Sequence, residues 1–179
     1  MLLLPEIPPE LDIDFRNMIN EDYGFVESLY ASTRAEELAN TGWPSEMQRA
    51  FLAQQHQAQH RHYQAHYDGA EWLIIERRGQ PIGRLYLVEW PDDVRVIDIS
   101  LVPDCRGQGI GSAILRAVIA SAHASGRSAS LHTESNNRRA LGLYERLGFR
   151  LREDKGAYLL LECAPAPDEE KAPGKGSGA

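Results

Sequence analysis

The run Arg106-Gly107-Gln108-Gly109-Ile110-Gly111 has the residue types and spacing to hold a charged ligand. Glycines at alternate positions remove side chains from the path of the ligand, so successive backbone N–H groups can converge on it. A helix predicted to start at Gly109 adds its own unbonded N–H groups and the positive end of its dipole. The combination suits a phosphate or pyrophosphate. A bare strand-to-helix turn needs one glycine, so three glycines and an arginine point to a ligand.

Two common phosphate loops do not fit. A P-loop requires Gly-Lys-Ser/Thr at the helix entry, and Ile110-Gly111-Ser112 has no lysine. A dinucleotide fingerprint requires a third glycine where Ser112 stands. The acyl-CoA loop, Arg/Gln-x-x-Gly-x-Gly/Ala, is matched from Arg106 to Gly111. Downstream, Asn137-Arg-Arg-Ala140-Leu-Gly-Leu-Tyr144-Glu-Arg-Leu-Gly148-Phe149 follows the pattern Asn-x-x-Ala-x-x-x-Tyr-x-x-x-Gly-Phe. With both motifs in this order, the chain resembles the GNAT family of N-acetyltransferases. The likeness is sharp over residues 95–150; before residue 80 it rests on the order of elements.

This resemblance implies acetyl-CoA as cosubstrate and direct transfer of its acetyl group to an amine. The pyrophosphate would lie on the N–H groups of Arg106, Gly107, Gln108, Gly109, Ile110 and Gly111, with the Ser112 hydroxyl beside them. The pantetheine arm would pair like an added strand with the backbone of Ile99, Leu101 and Val102, until Pro103 ends the pairing for want of a donor. Asn137 would bond the same arm. Tyr144 matches the tyrosine that protonates the leaving thiolate, a task suited to a phenol titrating near ~10. It also shares a helical stripe with Ala140 and Leu147, where core packing is the alternative. An amine protonated at neutral pH needs a base. Asp98, sharing a strand face with Ser100, is the candidate, acting through water; Glu134 and His132 on the next strand are the alternatives.

Other residues invite chemistry less strongly. His56, His60, His62 and His66 include i, i+4 pairs, but no HExxH motif accompanies them; a polar helix face lining an acceptor cleft is expected, and no metal. Cys105 lies beside the loop with no histidine partner and reads as filler. Trp43 and Trp90 fall in loops, where they either line the acceptor site or pack. Arg138 and Arg139 either reach the cofactor's 3′-phosphate or are solvated. Glu36, Glu37, Glu89, Asp92, Asp93 and Asp154 either form an acidic mouth for a cationic amine or are plain surface.

The elements that must position these groups follow from periodicity. A strand is expected over 11–15, and helices over 21–34 and 45–67, the second opened by a Ser45/Gln48 capping box. A hairpin follows over 71–88, then a strand over 95–102 and a helix over 109–125. A strand over 128–133, a helix over 137–147 and strands over 149–152 and 158–163 complete the order. The fold class is α/β: a single-domain, mixed but mostly antiparallel sheet flanked by helices, the GNAT acyl-CoA N-acyltransferase fold. The domain should span residues 10–163, after an arm over 1–9 and before a disordered tail over 164–179 rich in proline and glycine.

The chain has 179 residues, 42% of them hydrophobic and 25% charged, as in a soluble globular domain. A net charge of −7 argues against a nucleic-acid surface. No apolar run approaches the ~20 residues of a membrane span. Pro5 and Glu6 cut short Met1-Leu2-Leu3-Leu4, so no signal peptide is read there. Two cysteines make no disulfide framework. A cytoplasmic enzyme is expected. Its partner would be a small-molecule amine; a protein N-terminus or lysine, a non-catalytic acyl-CoA-binding regulator, and a homodimer remain alternatives.

Overall fold

The structure is a computed structural model that describes residues 7–167. Its strands are β1 (Ile13–Asn17), β2 (Glu71–Arg77), β3 (Gln80–Glu89), β4 (Asp93–Leu101), β5 (Ser128–Glu134), β6 (Arg150–Asp154) and β7 (Tyr158–Cys163). The helices are α1 (Tyr23–Ala39), α2 (Ser45–His66), α3 (Ile110–Ala124) and α4 (Arg138–Arg146). One sheet forms in the order β1-β2-β3-β4-β5-β7-β6, and only β4 and β5 run parallel, joined across α3. The single-domain, mostly antiparallel α/β architecture expected from the sequence is present. Of the terminal segments, residues 1–6 of the arm and 168–179 of the tail lie outside the described residues. Ile7 and Leu11 pack against the main core, so the described end of the arm is tied down.

Strand alternation divides the sheet into two faces. Leu73, Ile75, Leu85 and Leu87 join Ile110, Ile114, Leu115 and Val118 of α3 in the main core. Between them, Arg84 and Tyr86 point to the other face, where α2 crosses; Arg84 bonds His56 and Gln59 there. A smaller cluster of Tyr30, Leu38 and Leu52 holds α1 to α2. Ser45 opens α2 without capping it, because Pro44 occupies the cap position; Gln48 Nε2 instead donates to the Trp43 carbonyl at 2.9 Å.

Two irregularities shape the site. Tyr86 faces Asp98 and Leu87 faces Val96, so Ile97 is an extra residue that bends β4. The β4–β5 ladder runs only from Asp93↔Ser128 to Val96↔Leu131. Beyond it the strands diverge, and the edge of β4 from Ile97 to Leu101 has no strand beside it. On the opposite edge β3 packs tightly: a Cβ on Gly83 would lie 2.3 Å from the Ser100 carbonyl oxygen.

Candidate active site

The gap between β4 and β5 opens into two cavities. One, of about 510 Å³, is lined by Ile99, Leu101, Gly107, Gly109, Ser112 and Arg139, among others. The second, about 740 Å³, is lined by α2 residues Gln59, His62 and Tyr63 and by Asp98, His132, Glu134 and Tyr158. Ile99, Ser100, Asn137 and Tyr144 line both. Anything passing from one cavity to the other passes these four residues.

The loop presents a run of open N–H groups that begins one residue later than the sequence suggests. Gly107 and Gly109 take φ of 71° and 80°, the left-handed region that glycine enters without strain. Neither would bring a Cβ within 4 Å of another group, so backbone shape rather than crowding calls for glycine here. Among the described residues, the N–H groups of Gly107 through Ser112 have no partner. No side chain caps the start of α3. The Arg106 N–H is not part of the cradle, because it donates to the Pro103 carbonyl, while its guanidinium ties the loop to the Leu101 carbonyl at 2.8 Å and to Ser32 Oγ of α1 at 2.8 Å. Arg106 therefore braces the loop and also lines this cavity. Arg139 lines this cavity while Arg138 does not, and Arg146, which no motif marked, lines it as well.

Val102 is likewise engaged within the protein. Its N–H donates to the Ile82 carbonyl at 2.8 Å and its carbonyl accepts from Cys105, so neither group is free to pair with a ligand. Alternation then turns the amides of Ile99 and Leu101 to the opposite, open edge. Asn137 has two tasks available. Its Oδ1 accepts from the Ala140 N–H at 3.1 Å and caps α4, while its amide nitrogen stays unbonded at the junction of the cavities. Tyr144 packs edge-on against Phe149, centroids 5.8 Å apart. Among the described residues its hydroxyl has no partner. Burial, then the nearby Asp98 charge, raises its pKa, so the phenol keeps its proton.

Asp98 occupies the wall of the larger cavity with its oxygens already engaged. Arg84 Nε and Nη2 reach Oδ1 and Oδ2 at 3.1 and 2.9 Å, Tyr63 donates to Oδ2 at 3.2 Å, and Ser100 Oγ donates to Oδ1 at 2.9 Å. Arg84 is only 2% exposed. Burial is the largest influence and opposes its charge, but Asp98, Tyr86 and Tyr63 together outweigh it and keep the guanidinium protonated. Gln59 fills Nη2 at 2.9 Å. No motif announced Arg84, Gln59 or Tyr63; Arg84 and Tyr63 reach Asp98 across 14 and 35 residues of sequence. Glu134, by contrast, is exposed on the end of β5 with no ion pair to its carboxylate among the described residues.

Of the four α2 histidines, His62 lines the larger cavity and His56 is buried between Tyr23 and Tyr30. Trp90 carries Arg95 over its ring at 5.1 Å and stacks on Tyr67, whereas Trp43 packs on Phe51 away from the site. The acidic mouth is not assembled. Glu37 pairs with Arg34, Glu89 pairs with Arg127, Asp93 is buried, and none of the six acidic residues considered for it lines the cavity.

A sequence model of the acetyltransferase (GNAT) family matches residues 19–149. The chain belongs to this GNAT family. Over 82 residues it is 32% identical to a Bacillus subtilis (strain 168) protein named as a putative ribosomal protein bS18-alanine N-acetyltransferase. That match covers 45% of this chain and 54% of the relative, so the chain spans about half the length of the curated relative it matches. Among solved structures, an acetyltransferase from Thermus thermophilus superposes with a TM-score of 0.62 at 18% identity, over 87% of this chain and 98% of that one. The PaiA N-acetyltransferase from Thermoplasma acidophilum, solved with coenzyme A, gives 0.61 at 16% identity over 85% and 98%. These neighbours share the fold. The residues fit acetyl-CoA, the cosubstrate of this family: the open N–H cradle of Gly107–Ser112 matches a pyrophosphate, and the Ile99 backbone with the Leu101 N–H matches an amide-bearing arm, the Leu101 carbonyl being taken by Arg106.

Proposed function

We propose that this GNAT enzyme acetylates a primary amine of a small molecule. The observation that carries this reading is the junction at Ile99, Ser100, Asn137 and Tyr144, which joins the cradle to a second cavity of about 740 Å³, a size suited to a small molecule. Acetyl-CoA supplies an activated thioester. Gly107–Ser112 hold its pyrophosphate and Arg139 and Arg146 its remaining phosphate charge; Ile99, Leu101 and Asn137 hold the arm. Tyr144 keeps a proton at its hydroxyl and gives it to the departing sulfur.

Removing the proton from the incoming ammonium falls to a carboxylate with free lone pairs. Asp98 has none to spare, and we assign it to holding Arg84, Tyr63 and Ser100 in place. Glu134 is the cavity carboxylate left to take the proton, through water. The similarity to the Bacillus subtilis protein supports a second reading, in which the amine is a protein N-terminus. Thiol release measured with acetyl-CoA against panels of small amines and of short peptides separates the two. Release with neither panel, despite tight acetyl-CoA binding, would leave a non-catalytic acyl-CoA-binding protein.

A further inference from the structure

The larger cavity contains a hydrogen-bond donor whose direction the structure sets, and the geometry points to His132 as a specificity-determining residue that binds an oxygen of the acceptor. The inference rests on the acetyltransferase reading of the site and names the class of amine it takes: one that carries a carbonyl, carboxylate or hydroxyl oxygen, in preference to a plain alkyl amine.

The chain of contacts starts at the buried Asp93, which accepts from Ser130 Oγ. Ser130 Oγ in turn accepts from Arg95 Nε at 2.6 Å. Arg95 is further fixed by Asp93 at 3.6 Å and by the face of Trp90. So held, Arg95 directs Nη1 at His132 Nδ1, 3.3 Å away. A guanidinium only donates, so Nδ1 must be the unprotonated nitrogen. Burial first, then the charges of Arg95 and Lys155 against the weaker pull of Glu153, lower the His132 pKa and keep the ring neutral. A neutral ring with a bare Nδ1 carries its proton on Nε2. Nε2 has no partner among the described residues, and His132 lines the acceptor cavity with Lys155 and Tyr158. The same tautomer removes His132 from the candidate bases, because its lone pair is turned to Arg95 and its N–H to the substrate.

An unmet donor in a cavity favours a ligand that supplies an oxygen and penalises one that leaves the N–H dry. The test compares matched amines, glycinamide, glycine and 2-aminoethanol against propylamine, by the ratio of their kcat/KM values. Wild type should favour an oxygen-bearing member. His132→Phe should shrink that preference by about three- to tenfold, the range expected for one neutral hydrogen bond. His132→Gln, whose carbonyl can accept from Arg95 while its amide donates, should restore much of it. An unchanged ratio in His132→Phe, with both amines slowed equally, would make the residue structural and overturn the proposal. Nitrogen-15 NMR of the free enzyme gives a readout that needs no turnover. The Nε2–H tautomer at neutral pH is expected; an Nδ1–H tautomer or a protonated ring overturns the proposal even if no amine in the panel is acetylated. A correct tautomer with no turnover on any amine would instead count against the acetyltransferase reading. Between the oxygen sources, glycine and glycinamide separate carboxylate from carbonyl.

Discussion

Tyr144 combines two properties that ordinarily compete. Its ring packs against Phe149, and its hydroxyl faces a junction between cavities with no protein partner among the described residues. Tyr144→Phe therefore keeps the packing and removes only the proton donor. It should lower the turnover rate about 10²- to 10⁴-fold, the usual worth of a positioned acid, with little change in melting temperature. Because burial raises the Tyr144 pKa, the wild-type rate should hold up to pH values beyond the ordinary phenol range before an alkaline fall appears; a pH–rate profile of kcat checks this. Asp98 and Glu134 should separate in a different way. Asp98→Asn leaves Arg84 charged and buried without its partner, a change that costs roughly 3–5 kcal/mol and should be read in denaturant unfolding. Glu134→Gln should leave unfolding unchanged and slow the enzyme near neutral pH, with recovery at alkaline pH where the amine is already deprotonated. A stable Asp98→Asn that shows this alkaline recovery would return the base to Asp98. These contrasts also explain what was readable beforehand. Asn137, Tyr144 and the glycine loop are each set by near neighbours in sequence, so spacing exposes them. Arg84 sits between Gly83 and Leu85 in a strand and reads as an ordinary exposed hairpin residue. Its burial depends on Gln59 and Asp98, which arrive from elsewhere in the chain.

At the level of elements, α2 shows where periodicity misleads. Its sequence is mostly polar apart from residues such as Phe51 and Leu52, and predicts a polar, histidine-bearing face along an acceptor cleft. Yet His56 is 1% exposed, and its burial, with Arg84 beside it, pushes its pKa down to about 4. The unfolded chain binds a proton at this histidine near the ordinary value of about 6.5, while the folded chain resists until about 4. Stability from this residue is therefore complete above pH 6.5 and drains away as pH falls toward 4, by up to about 3 kcal/mol. Urea midpoints measured from pH 7 to pH 4 should fall in wild type and flatten in His56→Phe. The limits of α2, α3 and α4 lie close to the expected ones because Pro44, Gly126 and Gly148 punctuate them, and Gly79 marks the hairpin; α1 runs on to Ala39, five residues past its expected end at 34, with no glycine or proline before Gly42 to stop it. The β4 bulge at Ile97 was not legible. It follows from how Tyr86 and Leu87 meet β4, and no local pattern records that.

For the whole molecule, the element order was enough to predict a mixed sheet, because alternating strand and helix signals leave few ways to pair the strands. The divergence of β4 from β5 could not be read, since Ile97–Leu101 looks like any paired strand. That divergence divides the sheet into two panels. β1–β4 and β5–β7 are joined by the short ladder from Asp93 to Val96, by side-chain contacts such as Arg95 with Ser130 and His132, and by α3. A cosubstrate lying along Ile99 and Leu101 and pinned at Gly107–Ser112 would act as a missing strand between the panels. The folded enzyme and the loaded enzyme are then linked equilibria: at a ligand concentration one hundred times its Kd, the native state gains about 2.7 kcal/mol. Coenzyme A should raise the melting temperature by several degrees and slow amide exchange at Ile99 and Leu101 more than in α1. A sheet completed by its own cosubstrate is thus expected to resist unfolding best when that cosubstrate is at hand.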